Sequence, residues 1–299
     1  MTMGPAWLPA RPADPPDELA LPLDALPART PRQGEFRSLR EEVRARLLQA
    51  RSLEQLPPER FGFSVTAANW LFAVTSLLYR WYFRTQCFGL DNLPRGPFLL
   101  VANHGSHVLS WDGANIVTAC LLDADPPRLV HGMAEHRLME LPVLGRAARR
   151  IGAVDGRRPA CINLLRGGAV VLTFPEGTRA LGRGFRHRYH LSPFGHGFVH
   201  VALATGVPII PVAVIGGEEE APLLANPAWL RRLVRTPVAP ITPTIVFPLP
   251  VRYRIHFGAP LRLNGPATAD RVTREVERVR QALAGLISHG LAAREHVFI

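Results

Sequence analysis

The chain has 299 residues, 47% of them apolar, enough to bury a large core and too many for a small disulfide scaffold. Its formal charge is +11 and every one of its 35 basic positions is Arg, so the surface attracts phosphate in any form, whether nucleic acid, nucleotide or anionic lipid. No recognition-helix or stacking-sheet signature accompanies that charge, which leaves nucleic acid unsupported, and Cys87, Cys120 and Cys161 are too scattered for a bridge framework or a metal site and read as reduced thiols.

Residues 1–34 are rich in Pro and carry no sustained period, and read as a disordered tail. They lack the basic stretch and apolar run of a cleavable signal peptide. Residues 35–85 form an N-terminal helical region. Glu35 to Gln55 places Leu39, Val43, Leu47 and Leu48 at helical spacing among charges and predicts an amphipathic helix. Phe61 to Tyr79 then runs nineteen residues without a charge, long enough to reach across a bilayer. Its Ser, Thr and Asn residues, and the rings of Trp70, Tyr79, Trp81 and Tyr82, favour a helix lying in the membrane surface over one that spans it; a buried core helix is the third reading.

From residue 86 to 299 short apolar runs alternate with helical segments. Phe98–Val101, Arg128–His131, Ala169–Phe174 and Pro208–Ile215 read as buried strands, with helices predicted at 113–122, 144–151, 160–166 and 197–205. The alternation implies an α/β fold with a mostly parallel central sheet covered by helices. Val251–Phe257 reads as a late strand at the sheet's edge, and Asp270–His289 as a closing amphipathic helix with Val272, Val276, Val279, Leu283 and Ile287 on one stripe.

In such sheets ligands collect beyond the carboxyl ends of the strands, so the polar residues following each apolar run carry the argument. After FLLVA come Asn103, His104, Gly105, Ser106 and His107, then Asp112. An imidazole held in one tautomer by a carboxylate can take a proton from a hydroxyl near neutral pH. On a regular helix His107 and Asp112 would lie about 140° apart and His104 and Asp112 about 12 Å apart, so either pair requires a loop that folds back. The competing role for Asp112 is as N-cap of the helix that follows it. After AVVLT comes FPEGTR, which sets Glu176, Gly177, Thr178 and Arg179 at the ligand end of a strand; Arg there suits a phosphate, and a surface Glu/Arg pair is the bland reading. GAVDGR, with Arg157, and GVPIIP, with Pro211, complete the set. Glu218–Glu220 reads as a solvated acidic loop and Phe185–His190 as a solvated basic and aromatic one.

The ordered blocks NHGSHVLSWD, GAVDGR, FPEGTR and GVPIIP resemble the four motifs of the glycerolipid acyltransferase family, typified by 1-acylglycerol-3-phosphate acyltransferases, over roughly residues 86–260. The resemblance implies an acyltransferase that moves a fatty acyl group from acyl-coenzyme A or acyl-carrier protein to a glycerolipid hydroxyl, without cofactor, metal or covalent acyl-enzyme. The histidine would be the base, Asp112 its orienting partner, and Glu176, Gly177, Thr178, Arg179 and Arg157 would bind the acceptor's glycerol phosphate, with Arg158 a substitute for Arg157. The family's usual four residues between His and Asp are met by His107, whereas His104 directly follows Asn103 and leaves seven, as in family members with a longer loop. His104 is the favoured base and His107 the alternative.

The partners so implied are a membrane lipid surface, a lysophospholipid acceptor and the acyl donor, at the cytoplasmic face of the cell membrane in a peripheral or monotopic arrangement. The alternatives are a neutral glycerolipid or other alcohol as acceptor, or a non-catalytic membrane-associated lipid-binding protein. A Ser/His/Asp hydrolase would need Gly-x-Ser-x-Gly after a strand, and Ser106 lies in no such frame. The condensation-type acyltransferases place three residues between His and Asp-Gly, where this chain has four after His107, and their two-lobed fold needs a longer chain.

Overall fold

The strand runs LLVA, VVLT and IIPVAVI are apolar on both faces, which only a sheet covered on both sides can bury. The computed structural model, which describes residues 33–55, 61–105, 110–229, 232, 241–242 and 247–298, places them side by side at the centre of such a sheet. Strands β1 (Gln86–Phe88), β2 (Leu99–Ala102), β3 (Val130–Ala134), β4 (Val154–Asp155), β5 (Val170–Thr173), β6 (Ile209–Ile215) and β7 (Arg254–Phe257) lie in the order β1-β7-β6-β2-β5-β3-β4. All neighbours pair in parallel except β6 and β7, so β7 and β1 form a reversed pair beside a parallel block. β7 therefore lies inside the sheet, between β6 and β1, and not at the edge that its alternating sequence suggests; Val251, Tyr253, Ile255 and Phe257 are all buried. Pro211, in the middle of β6, has no N–H to donate, but its carbonyl accepts from the Gly258 N–H at 2.8 Å, just past the end of the β6–β7 ladder at Val212 and Phe257.

The helices are α1 (Gln33–Ser52), α2 (Val65–Leu77), α3 (Trp111–Leu122), α4 (His136–Glu140), α5 (Leu144–Arg150), α6 (Arg158–Arg166), α7 (Thr178–Leu181), α8 (Gly197–Thr205), α9 (Gly217–Glu220) and α10 (Ala269–Ala292). One sheet face packs Leu99, Val101, Val171 and Ile209 against α6, α8 and α10, whose expected stripe from Val272 to Ile287 is buried. The other packs Leu100, Leu172 and Val212 against Ile116, Ala119 and Cys120 of α3. Leu121 and Leu122 of α3 turn outward to a third cluster with Leu39, Val43 and Leu47 of α1 and with Ala68 and Phe72 of α2. Leu48, expected on the buried stripe of α1, is exposed.

The uncharged run 61–79 becomes the thirteen-residue α2 followed by a π-turn at Leu78–Tyr82. It buries Ala68, Phe72, Ala73, Thr75 and Ser76, while Trp70, Leu71 and Val74 stay exposed. Among the described residues no helix is long and apolar enough to cross a membrane. The reading of residues 1–34 as a disordered tail falls outside the described residues, except that α1 already begins at Gln33. The three cysteines are free thiols.

Candidate active site

β2 lies between β5 and β6, so the residues that follow these three strands converge at one end of the sheet. Asn103 fixes the first of them. Its side-chain amide donates to the Val214 carbonyl at 2.9 Å and its oxygen accepts from the Val214 N–H at 2.8 Å, binding the end of β2 to β6. Past that lock the chain turns at Gly105, where a Cβ would stand 2.5 Å from Glu218 Cγ and 2.9 Å from its backbone nitrogen; glycine alone fits.

The loop folds back. His104 Nδ1 lies 2.6 Å from Asp112 Oδ2, which also accepts from the Gly105 N–H at 2.9 Å. Asp112 Oδ1 accepts from Ser110 Oγ at 3.0 Å and from the Gly113 N–H at 2.7 Å. With four donors and no exposure, Asp112 stays where it is put. It is not the N-cap: α3 starts at Trp111 after Ser110, which sits in the left-handed region at φ 46°, and Asp112 occupies the first turn, where the helix dipole favours a carboxylate. Burial alone would lower the basicity of His104, but the charge and hydrogen bond of Asp112 outweigh it and raise the imidazole above its ordinary value. With Nδ1–H donating to Asp112, the lone pair that can take a proton is on Nε2. His107, the alternative base, lies outside the described residues.

FPEGTR divides into an inner and an outer part. Glu176 is fully buried: Oε1 accepts from the His104 backbone N–H at 3.3 Å, and Oε2 from the Ser192 N–H at 2.6 Å and from Arg183 Nη2. Arg183 reaches with Nη1 to Glu218 Oε1 at 2.7 Å, and Glu218 also accepts from the Tyr189 N–H at 3.0 Å. Gly177, at φ 59°, Thr178 and Arg179 are exposed, and Arg179 Nη2 donates to the Pro193 carbonyl at 3.0 Å. Arg157 is exposed too and donates from Nε to Asp155 Oδ2 at 2.9 Å, a carboxylate it shares with His136 Nδ1. His104, Asp112 and Glu176 are thus joined in one hydrogen-bonded cluster, while Arg157 and Arg179 bond to Asp155 and to the Pro193 carbonyl, outside it.

The glutamates of Glu218–Glu220 are no solvated loop. All three are buried: Glu218 on Arg183, Glu219 on Arg294 Nη1 at 2.7 Å and on the Tyr189 hydroxyl, and Glu220 on the Tyr253 hydroxyl at 2.5 Å. Tyr189 in turn accepts from the Gly216 N–H at 2.8 Å, which ties the basic and aromatic loop to the end of β6.

Residues 84–215 match the acyltransferase family of proteins. An uncharacterized protein of Mycobacterium tuberculosis is 36% identical over 74% of this chain, which spans 65% of that protein's length. A chicken protein described as a DGAT1/2-independent enzyme synthesizing storage lipids is 28% identical over 66% of this chain and 58% of its own. A chloroplastic 1-acyl-sn-glycerol-3-phosphate acyltransferase of Brassica napus is 28% identical over 52% and 46%.

The chain belongs to the glycerolipid acyltransferase family. Among solved structures, the 1-acyl-sn-glycerophosphate acyltransferase of Thermotoga maritima aligns with a TM-score of 0.48 at 21% identity, over 75% of this chain and 82% of that one.

Beside the His104/Asp112 pair lies a pocket of about 190 Å³ at the carboxyl end of β5. Thr173, Phe174, Pro175, Met133 and Arg158 contribute to its wall, and the Phe174 ring also stacks on His104 with centroids 4.4 Å apart. Sequence reasoning overlooked Arg183, Tyr189 and Phe174. Arg183 had one signal, a basic residue seven positions after a glutamate that has to be buried, and the run of three glutamates lacked only the recognition that a strand end can turn acidic residues inward.

Proposed function

We propose that the chain transfers a fatty acyl group from a thioester donor, acyl-coenzyme A or acyl-carrier protein, to a glycerolipid hydroxyl. The 2.6 Å contact between His104 and the four-fold anchored Asp112 carries this reading. His104 Nε2 removes the acceptor's hydroxyl proton as the oxygen attacks the thioester carbonyl. The C–O bond forms, the C–S bond breaks, and the imidazolium returns its proton to the departing thiolate, so no acyl-enzyme is needed. Asp112 holds the ring and stabilises its charged form. Glu176 acts through His104, by accepting its backbone N–H, and is a positioning residue.

The acceptor we infer is 1-acylglycerol-3-phosphate. The FPEGTR motif, the exposed Thr178 and Arg179, the Arg158 side chain at the pocket and the Brassica relative's described activity support it. The reaction belongs in phospholipid biosynthesis, at the cytoplasmic face of the cell membrane. A neutral acceptor is the second reading, favoured by the chicken relative's description and by the engagement of Arg157 with Asp155.

Thiol release from long-chain acyl-coenzyme A, and from acyl-carrier protein in parallel, is to be followed with 1-acylglycerol-3-phosphate, monoacylglycerol or diacylglycerol as acceptor. Release with the phosphate-bearing acceptor, abolished in His104→Ala and kept in His107→Ala, is expected. Release with the neutral acceptors alone selects the second reading. Loss in His107→Ala alone overturns the choice of base, and no release with any pair leaves a lipid-binding protein.

A further inference from the structure

Between α4 and α5 the chain presents Leu141, Pro142, Val143 and Leu144 in succession to solvent, with Leu141 46%, Val143 75% and Leu144 55% exposed. This is a built turn and not a loose loop. The Gly145 N–H donates to the Leu141 carbonyl at 2.8 Å and the Ala147 N–H to the Val143 carbonyl at 3.0 Å. Gly145 is pressed so closely on α4 that a Cβ there would stand 2.2 Å from the Met139 carbonyl oxygen, the same oxygen that accepts from Arg149 Nη2 at 3.0 Å. A rigid turn that holds three adjacent aliphatic side chains in water is costly unless something apolar covers them. Immediately behind it stand the exposed Arg146 and Arg150.

We propose that the Leu141–Leu144 turn, backed by Arg146 and Arg150, inserts into an anionic lipid surface beside the pocket. Three partly exposed side chains offer a few hundred Å², far less than the roughly 800 Å² per partner that holds a stable protein interface, so a second copy or a folded partner is poorly matched. An aliphatic tip with guanidinium groups behind it matches the order met on approaching a bilayer, phosphates outside and acyl chains within. The place in the fold is also apt. α4 leaves the carboxyl end of β3, Met133 and Gly156 on either side of it line the pocket, and His136 binds α4 to Asp155. A turn anchored there puts the pocket at the lipid surface. The exposed face of α2 is the competing candidate; its most exposed ring, Trp70, is half exposed but already has Arg40 over it at 4.6 Å and Phe36 beside it.

The idea rests on a lipid acceptor for its purpose, yet its test needs no catalysis. The full chain is sedimented with vesicles of phosphatidylcholine, with and without phosphatidylglycerol, and its thiol release is measured separately. Parent protein is expected to bind the phosphatidylglycerol vesicles better. Val143→Asp with Leu144→Asp is expected to lower partitioning about tenfold or more at an unchanged melting temperature, and Arg146→Glu with Arg150→Glu to remove the preference for anionic lipid. Parent that ignores both vesicles, a Val143→Asp/Leu144→Asp variant that binds as parent does, or binding lost in Trp70→Asp instead, overturns the proposal. So does a dimer on size exclusion that the turn variant splits. Vesicle binding that depends on the turn, without thiol release, sinks the acyl-transfer reading and leaves this one standing.

Discussion

Asp112 and the Glu176–Arg183–Glu218 group lie at the same end of the sheet, both buried and both rich in hydrogen bonds, yet their donors differ in kind. The four donors on Asp112 include an imidazole whose second nitrogen is left to act on something else. The donors on Glu176 and Glu218 are Arg183, which also donates to Ser192 Oγ at 3.3 Å, and backbone N–H groups, none of which can take a proton. A carboxylate that ends in a histidine can do chemistry; one that ends in an arginine holds loops together. The His104 N–H on Glu176 joins the two, so the architectural cluster fixes the backbone of the chemical one.

The strongest break in that comparison is His104→Ala, expected to lower kcat/KM by about 10³ or more with the melting temperature little changed, checked by thiol release and thermal unfolding. Arg183→Met works the other way: it takes the cationic partner from the buried Glu176 and a donor from Glu218, and is expected to cost about 3–5 kcal/mol in urea unfolding. The pH profile sharpens the first cluster. Its raised pKa keeps His104 protonated to higher pH, and the base must be neutral, so the acid limb of kcat/KM is expected above the ordinary imidazole value of about 6.5. Asp112→Asn moves the limb of the residual activity to lower pH.

Burial pushes Glu218 up to about 8, against the pull of Arg183. The folded state then holds a proton that the unfolded state has released above its ordinary value of about 4.3, so stability falls as pH rises toward 8, by up to about 1.4 kcal/mol per pH unit. Glu218→Gln is expected to flatten that slope in unfolding titrations. The smallest effect belongs to Arg157→Ala. Its exposed pair with Asp155 contributes less than about 1 kcal/mol, so a fall in affinity for the phosphate-bearing acceptor without loss of stability would assign it to the ligand and not to the fold.

The central strands and the helices between them were legible because each is a run of apolar residues of the right length closed by Gly or Pro. β1 and β4, with three and two residues, carry no period to read. β7 was misplaced because alternation suggests one wet face, whereas its outward residues, Arg254 and His256, are covered by Phe88 and α10. His104 and Asp112 could be paired by resemblance, whereas spacing alone pointed to His107, since the contact depends on how a loop turns. Arg183 and the buried glutamates were out of reach for a firmer reason: charged residues predict solvent until each is known to have a partner, and the partners lie 7 to 75 residues away.

Asn103 gives the molecule a freedom that the rest of the sheet lacks. By presenting a side-chain amide to Val214 in place of a backbone one, it ends the β2–β6 pairing with a rung that owes nothing to the chain beyond it. The segment from Gly105 to Ser110 can then lengthen or shorten without unzipping the sheet, provided that it returns Asp112 to the same imidazole. A change of loop length there would leave His104 fixed to the scaffold.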